Sequence, residues 1–285
     1  MRIDKELVWN CITLFAAALV IVTVISFACP AKAGNWSGLT WNTRYYNPLA
    51  YPRSPEFSLT WENYEDIGVL KAVLGKDLGL VTYQEDYLYA TLGLEFATWV
   101  TLRYRDDSMA FPLITEDFVV AVPLTFCYKQ WSWAVKYNHI SAHLGDGADE
   151  LLDTKTIAYS REFVSLHLAR TFRFEDVWTG TLFGRVYAHG GYLVVVMPKE
   201  LGRWYAGGGF EIAIDKFVNP YIAFDGTWND DVGSFDMSGQ LGLWRGGHGV
   251  HLDIRVALTG YIGSDRRGQL VGRKLNNIGV GIFIR

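Results

Sequence analysis

From Val250 to Thr259 apolar and polar side chains alternate almost one for one. Val250, Leu252, Ile254, Val256 and Leu258 share one parity, and His251, Asp253, Arg255, Ala257 and Thr259 share the other. A strand turns successive side chains to opposite faces, whereas a helix would sort them with a period of 3.6. The same sorting recurs along the chain. Trp204, Ala206, Phe210, Ile212 and Ile214 oppose Arg203, Tyr205 and Glu211. Val218, Ile222, Phe224 and Trp228 oppose Asn219, Tyr221, Asp225 and Thr227. Phe235, Met237, Leu241 and Leu243 oppose Asp236, Ser238 and Gln240.

The alternation predicts roughly twelve strands, over 55–62, 68–76, 86–102, 115–127, 130–142, 157–171, 175–188, 202–214, 217–229, 234–246, 249–262 and 275–285. Most are longer than the 5–6 residues of an ordinary globular strand. Short connections at Lys129 and at Gly246-Gly247-His248 read as hairpin turns between antiparallel neighbours. Residues 34–54, with Pro48 and Pro52, read as an irregular segment before the first strand. The chain is therefore expected to be all-β.

Alternation alone does not say which face is inside. A soluble barrel or sandwich would turn the apolar face inward, and a membrane barrel would turn it outward. Strands of this length cross a bilayer when tilted, which takes about 9–11 residues. The polar faces carry several charges each, and Trp131, Trp178, Trp204, Trp228 and Tyr261 gather near strand ends, where interfacial aromatics sit. The expected fold is an antiparallel up-and-down transmembrane β-barrel of about twelve strands, forming one domain over 34–285.

The N-terminus sets the compartment. Arg2 and Lys5 precede an apolar run from Leu7 to Ala28, and Ala31-Lys32-Ala33 follows before Gly34. A basic start, an apolar centre and an A-x-A site predict a signal peptide over 1–33, an uncleaved anchor being the alternative. Removing it leaves one cysteine, Cys127, and no intramolecular disulfide. An exported barrel is expected in the outer membrane, with membrane lipid and the barrel-assembly machinery as partners. Composition fits: 15% aromatic residues and 29 glycines against 8 prolines suit strands and tight turns better than helices. A formal net charge of −4 gives no basic footprint for nucleic acid.

Four stretches carry a family resemblance. They are Asn47-Pro48-Leu49-Ala50 with Pro52-Arg53-x-Pro55-x-Phe57-Ser58, His139-x-Ser141-x-His143-Leu144-Gly145-Asp146, Tyr159-Ser160-Arg161-Glu162-Phe163, and Gly260 to Gly272. In this order they resemble a bacterial family known as domain of unknown function 1207. The resemblance implies an exported barrel and leaves the chemistry open.

Chemistry rests on Tyr137 to Asp146. His139 and Ser141 continue the parity of Trp131, Trp133, Val135 and Tyr137, so both should face outward at the outer end of their strand. A serine becomes a useful nucleophile beside a base, and two positions along a strand bring both groups to one face. On the next strand Ser160 and Glu162 share the outward parity, and either could orient the imidazole. This resembles the His-x-Ser pair of the outer-membrane phospholipase A family. That resemblance implies calcium, for which Asp146, Asp149, Glu150 and Asp153 offer oxygen ligands, and no other cofactor. The competing reading is structural: a strand end and a turn, with Gly145 left-handed and Asp146 bonding nearby amides. On the opposite parity, His167 and His189 with Arg161, Arg185, Arg203 and Arg255 should meet Glu211, Asp225, Asp236 and Asp253 in a polar interior. Gly207-Gly208-Gly209 should let the wall bend.

Overall fold

The computed structural model describes residues 34–40, 45, 47–64, 67–104, 110–148, 157–177, 180–215, 218–230, 233–245 and 253–285. The chain divides into Met1–Asn35 and Trp36–Arg285. The expected signal segment 1–33 lies outside the described residues, as do Trp178 and the Gly246-Gly247-His248 turn.

The strands are β1 (Asn35–Ser37), β2 (Phe57–Tyr64), β3 (Ile67–Glu85), β4 (Leu88–Arg103), β5 (Leu113–Tyr128), β6 (Trp131–Leu144) and β7 (Ser160–Val177). There follow β8 (Gly180–Met197), β9 (Trp204–Asp215), β10 (Asn219–Asn229), β11 (Ser234–Arg245), β12 (Ile254–Ser264) and β13 (Lys274–Ile284). Each strand from β2 pairs antiparallel with the next, and β13 returns to β2, with Ile284 opposite Phe57 and Ile278 opposite Asn63. The twelve strands β2–β13 thus close a ring, and closure removes the free edge that an open sheet would present. Short β1 is an addition to the expected set and lies beside β3.

Outward side chains are large, apolar and exposed on every barrel strand. Leu241 and Leu243 on β11, Val256 and Leu258 on β12, and Ile278, Val280 and Ile282 on β13 show this. Many inward positions are small or polar, among them Ala134, Lys136, Asn138, Ser165, His167, Asp225 and Arg255, with Ile140, Phe163 and Phe283 as large apolar exceptions. A water-soluble monomer rarely exposes an apolar patch above a few hundred Å², so this exterior suits an apolar medium. Tyr261 departs from the expected girdle: it is buried and faces the lumen, because its parity is that of Arg255 and Ala257.

The two ends of the barrel differ. One carries tight turns, Asp86-Tyr87 and Lys129-Gln130, whose first residues take positive φ of 46° and 52° as two-residue hairpins require. The other carries longer connections over 104–112, 145–159 and 265–273.

Three strands run far past their expected spans. β3 runs on to Glu85, past Lys76-Asp77, through a register shift between Gly79 and Val81. β7 runs on to Val177 and β8 begins at Gly180, where the expected strands ended at 171 and began at 175. β8 also continues through Gly190-Gly191 to Met197, with a bulge where Glu162 pairs Val195 and Phe163 pairs Leu193. An inserted residue flips the parity beyond it, so strict alternation stops at a bulge although the strand does not.

Gly209 is where close approach demands glycine: a Cβ there would stand 1.9 Å from the Phe224 carbonyl oxygen and 2.5 Å from the Tyr187 hydroxyl. Backbone and a ring on both sides leave nothing free to yield. Gly209→Val is expected to leave most of the protein without the folded band that unheated barrels show on gels, whereas Gly260→Ala, with open space at its Cβ, should fold as the parent does.

Candidate functional site

The β6–β7 ladder sets His139 opposite Glu162 and Ser141 opposite Ser160, all four on the outward face as parity required. His139 Nδ1 lies 3.6 Å from Glu162 Oε1, with the two side chains 45% and 20% exposed. The Tyr137 hydroxyl donates to Glu162 Oε2 at 2.6 Å, fixing the carboxylate from its other side. Of the two candidates for orienting the imidazole, Glu162 is the one the structure brings to it. Among the described residues no hydrogen bond joins the His139 ring to the Ser141 hydroxyl. The group lies toward the barrel end that carries the long connections.

The neighbouring turn behaves differently from the expectation. Gly145 is not left-handed; it is needed because a Cβ there would meet the Leu113 carbonyl oxygen at 2.3 Å. His143 packs its exposed ring edge-on against Phe118, at 5.8 Å between centroids. Asp146 is exposed, while Asp149, Glu150 and Asp153 lie outside the described residues. Among the described residues no three His, Cys, Asp or Glu side chains are grouped to hold a metal ion. Of the four expected calcium ligands, Asp146 is the one that lies among the described residues.

The lumen holds what sequence reading missed. Tyr45 and residues 47–56, expected as irregular chain up to Ser54 and as the start of a strand from Pro55, fold inside the barrel and are held there by polar contacts. Lys136 Nζ donates to both Glu95 oxygens, at 2.7 and 2.9 Å, and to Asn47 Oδ1 at 2.6 Å. The Leu49 amide donates to Glu211 Oε1 at 2.6 Å, and Gln240 Nε2 donates to the Leu49 carbonyl at 2.8 Å. Ser238 donates to the Ala50 carbonyl at 2.6 Å, and Arg255 pairs with Glu56. The Tyr51 ring lies tilted 4.8 Å from the ring of His189, whose Nε2 meets Asp225 Oδ2 at 2.9 Å. Burial pushes the Tyr45 and Tyr51 phenols above their ordinary pKa, so both stay neutral. Arg185 sits 3.6 Å from Glu211. Arg203 corrects the expected lumenal set: it is exposed just before β9 and donates to the Leu193 and Val194 carbonyls. Asp253 lies outside the strand, its amide bonded to the Arg285 carbonyl.

The long-loop mouth is covered by the β12–β13 connection, whose short 3₁₀ turn is Gly268–Leu270. The Gly268 amide donates to Asp117 Oδ2 at 2.9 Å, and Gln269 Nε2 donates to the Ala142 and Ile157 carbonyls at 2.6 and 2.9 Å. Between this connection and residues 49–56 remains a cavity of about 150 Å³ lined in part by Trp99, Asp117, Tyr261 and Arg266.

A family model described as "Protein of unknown function (DUF1207)" matches residues 37–284. The chain belongs to that family. No curated protein matches it in sequence. Among solved structures this DUF1207 member is similar to outer membrane phospholipase A from Escherichia coli, at 14% identity and TM-score 0.52, over 85% of this chain and 95% of that one. An active site mutant of that protein gives 14% identity and TM-score 0.53 over the same shares. The transport unit of the autotransporter AIDA-I from Escherichia coli gives 13% identity and TM-score 0.43, over 86% of this chain and 94% of that one. At such identities the two phospholipase likenesses concern the fold.

The Lys136–Glu95–Asn47 group yields a stability test. Lys136→Met strands a buried carboxylate, which costs about 3–5 kcal/mol where a buried pair is broken on one side. The denaturation midpoint should fall clearly, and Glu95→Leu added to Lys136→Met should recover much of the loss. A double variant as weak as the single one would contradict the pairing.

Proposed function

We propose that the protein is an integral outer-membrane barrel whose lumen is filled rather than open, serving as an envelope component. The observation that carries this is the pairing of a continuous apolar exterior with an interior occupied by residues 45–56. Membrane lipid would cover the outward rows, as the bilayer does for closed barrels generally. Export through a cleaved signal over 1–33 and insertion by the barrel-assembly machinery belong to the same reading. Two measurements test it. The protein should leave the membrane fraction only with detergent, and unheated samples should migrate differently from boiled ones. A chain that stays soluble without detergent would end the membrane reading.

A second reading is favoured by the His139–Glu162 contact: hydrolysis of acyl esters in membrane lipid. With Nδ1 turned to Glu162, Nε2 is the nitrogen left for Ser141. His139 would take the hydroxyl proton as Ser141 Oγ attacks the ester carbonyl, and Glu162 would stabilise the imidazolium; His139 would then protonate the departing alcohol. The position suits that substrate, since the group faces outward beside apolar rows. Solved structures similar to this fold include proteins named as phospholipases, which supports the reading only as far as fold likeness goes. Purified protein in detergent micelles should release fatty acid from phospholipid, and Ser141→Ala should lower the rate by on the order of a thousandfold. Release that is unchanged in Ser141→Ala would sink hydrolysis at this site.

A further inference from the structure

The tight-turn end of the barrel carries an outward feature that neither the filled lumen nor the His139 group uses. Tyr128 on β5, Trp131 on β6 and Arg170 on β7 pair directly, forming one row across three strands. All three side chains face outward and are exposed. The next row toward the barrel middle is Phe126, Trp133 and Leu168, with the first two rings stacked at 5.5 Å. The lower row therefore marks where the apolar belt gives way to the interface, the level favoured by tyrosine and tryptophan.

Two cations are held at that level. The Arg170 guanidinium lies 5.2 Å from the Trp131 ring and 5.0 Å from the Phe172 ring. Lys129, in the β5–β6 turn, lies 5.3 Å from the Tyr128 ring and 5.7 Å from the Tyr87 ring. Such contacts orient a cation over the ring face. Among the described residues neither cation has a carboxylate partner. Several other cations of the barrel do, as Lys136 with Glu95 and Arg255 with Glu56 show. The row spans two strand spacings, about 10 Å, which is the scale of one lipid headgroup.

We propose that Lys129 and Arg170, set on Tyr128 and Trp131, form a binding site for the phosphate of an anionic phospholipid in the leaflet at the tight-turn end. The inference rests on the membrane reading above. The rings fix the two charges at the depth of the phosphates, and the guanidinium offers the forked donors that phosphate oxygens accept. A zwitterionic lipid supplies the same phosphate with a cation beside it, so an anionic headgroup should be preferred.

The test uses the full-length protein in a neutral detergent, mixed with phosphatidylglycerol, cardiolipin or phosphatidylcholine and examined by native mass spectrometry. The expected result is retention of phosphatidylglycerol or cardiolipin at about ten times lower lipid concentration than phosphatidylcholine, and loss of that preference in Lys129→Gln/Arg170→Gln. Equal retention of all three lipids, or a preference surviving in the double variant, would overturn the proposal. So would displacement of the lipid by millimolar inorganic phosphate, which would show a free-anion site instead. The double variant's heat-dependent gel shift reports folding separately. A parent protein that needs no detergent would instead mark failure of the membrane reading itself.

Discussion

Closure of β13 onto β2 is the constraint on which everything else depends. A bilayer interior offers no water to satisfy backbone amides, so a sheet can stand there only if every strand has two neighbours. Once the ring is closed, parity divides the chain without remainder. One set of side chains faces the surroundings and the other is enclosed with a small volume to fill. Apolar residues outside and charged residues inside follow directly, and the inside charges then need partners. Lys136 finds Glu95 and Asn47, His189 finds Asp225, Arg185 finds Glu211, and Arg255 finds Glu56.

Two of those partners are not on the barrel wall. Asn47 and Glu56 come from the segment before β2, which explains why that segment is ordered without belonging to any ladder. Its prolines, Pro48 and Pro52, lack an amide donor and would weaken a strand. In the lumen they leave fewer backbone donors to satisfy, while the remaining polar groups meet Glu211, Ser238 and Gln240. The wall and the segment therefore complete one another: Arg255 on the wall finds its carboxylate in the segment, and the segment's backbone finds its partners on the wall.

Much of this was legible in the sequence, and the places where it was not have a common cause. Parity depends only on local order, so Leu252 to Leu258 or Phe235 to Leu243 announce their faces without any knowledge of neighbours. It also placed His139, Ser141, Ser160 and Glu162 together on the outward side, because both strands kept an unbroken count. Where a bulge inserts a residue, as at Val194 or Leu80, the count fails and the strand looks finished too early. Residues 45–56 were hidden for a different reason. Their partners lie 89 to 199 positions away, at Lys136, Glu211, Ser238, Gln240 and Arg255, and no periodicity reports contacts at that separation. Tyr261 is instructive in the other direction: grouping it with the girdle by residue type overrode its parity, and parity was right.

The outward polar group shows what the fold requires and what it does not. A histidine, a glutamate and a tyrosine hydroxyl facing outward among apolar rows satisfy one another through the Tyr137–Glu162 hydrogen bond and the His139–Glu162 contact. Barrel closure does not need them; apolar residues at all three positions would leave the ladder intact and make the exterior more uniformly apolar. Ser141 is a different matter, since a lone hydroxyl at a strand end is easily solvated and costs little. The weight of a catalytic reading therefore falls on the His139–Glu162 contact, because two titratable groups were placed where the architecture asks for none. Lys129 and Arg170 follow the same logic at the other end: they are charges left without a carboxylate partner among the described residues.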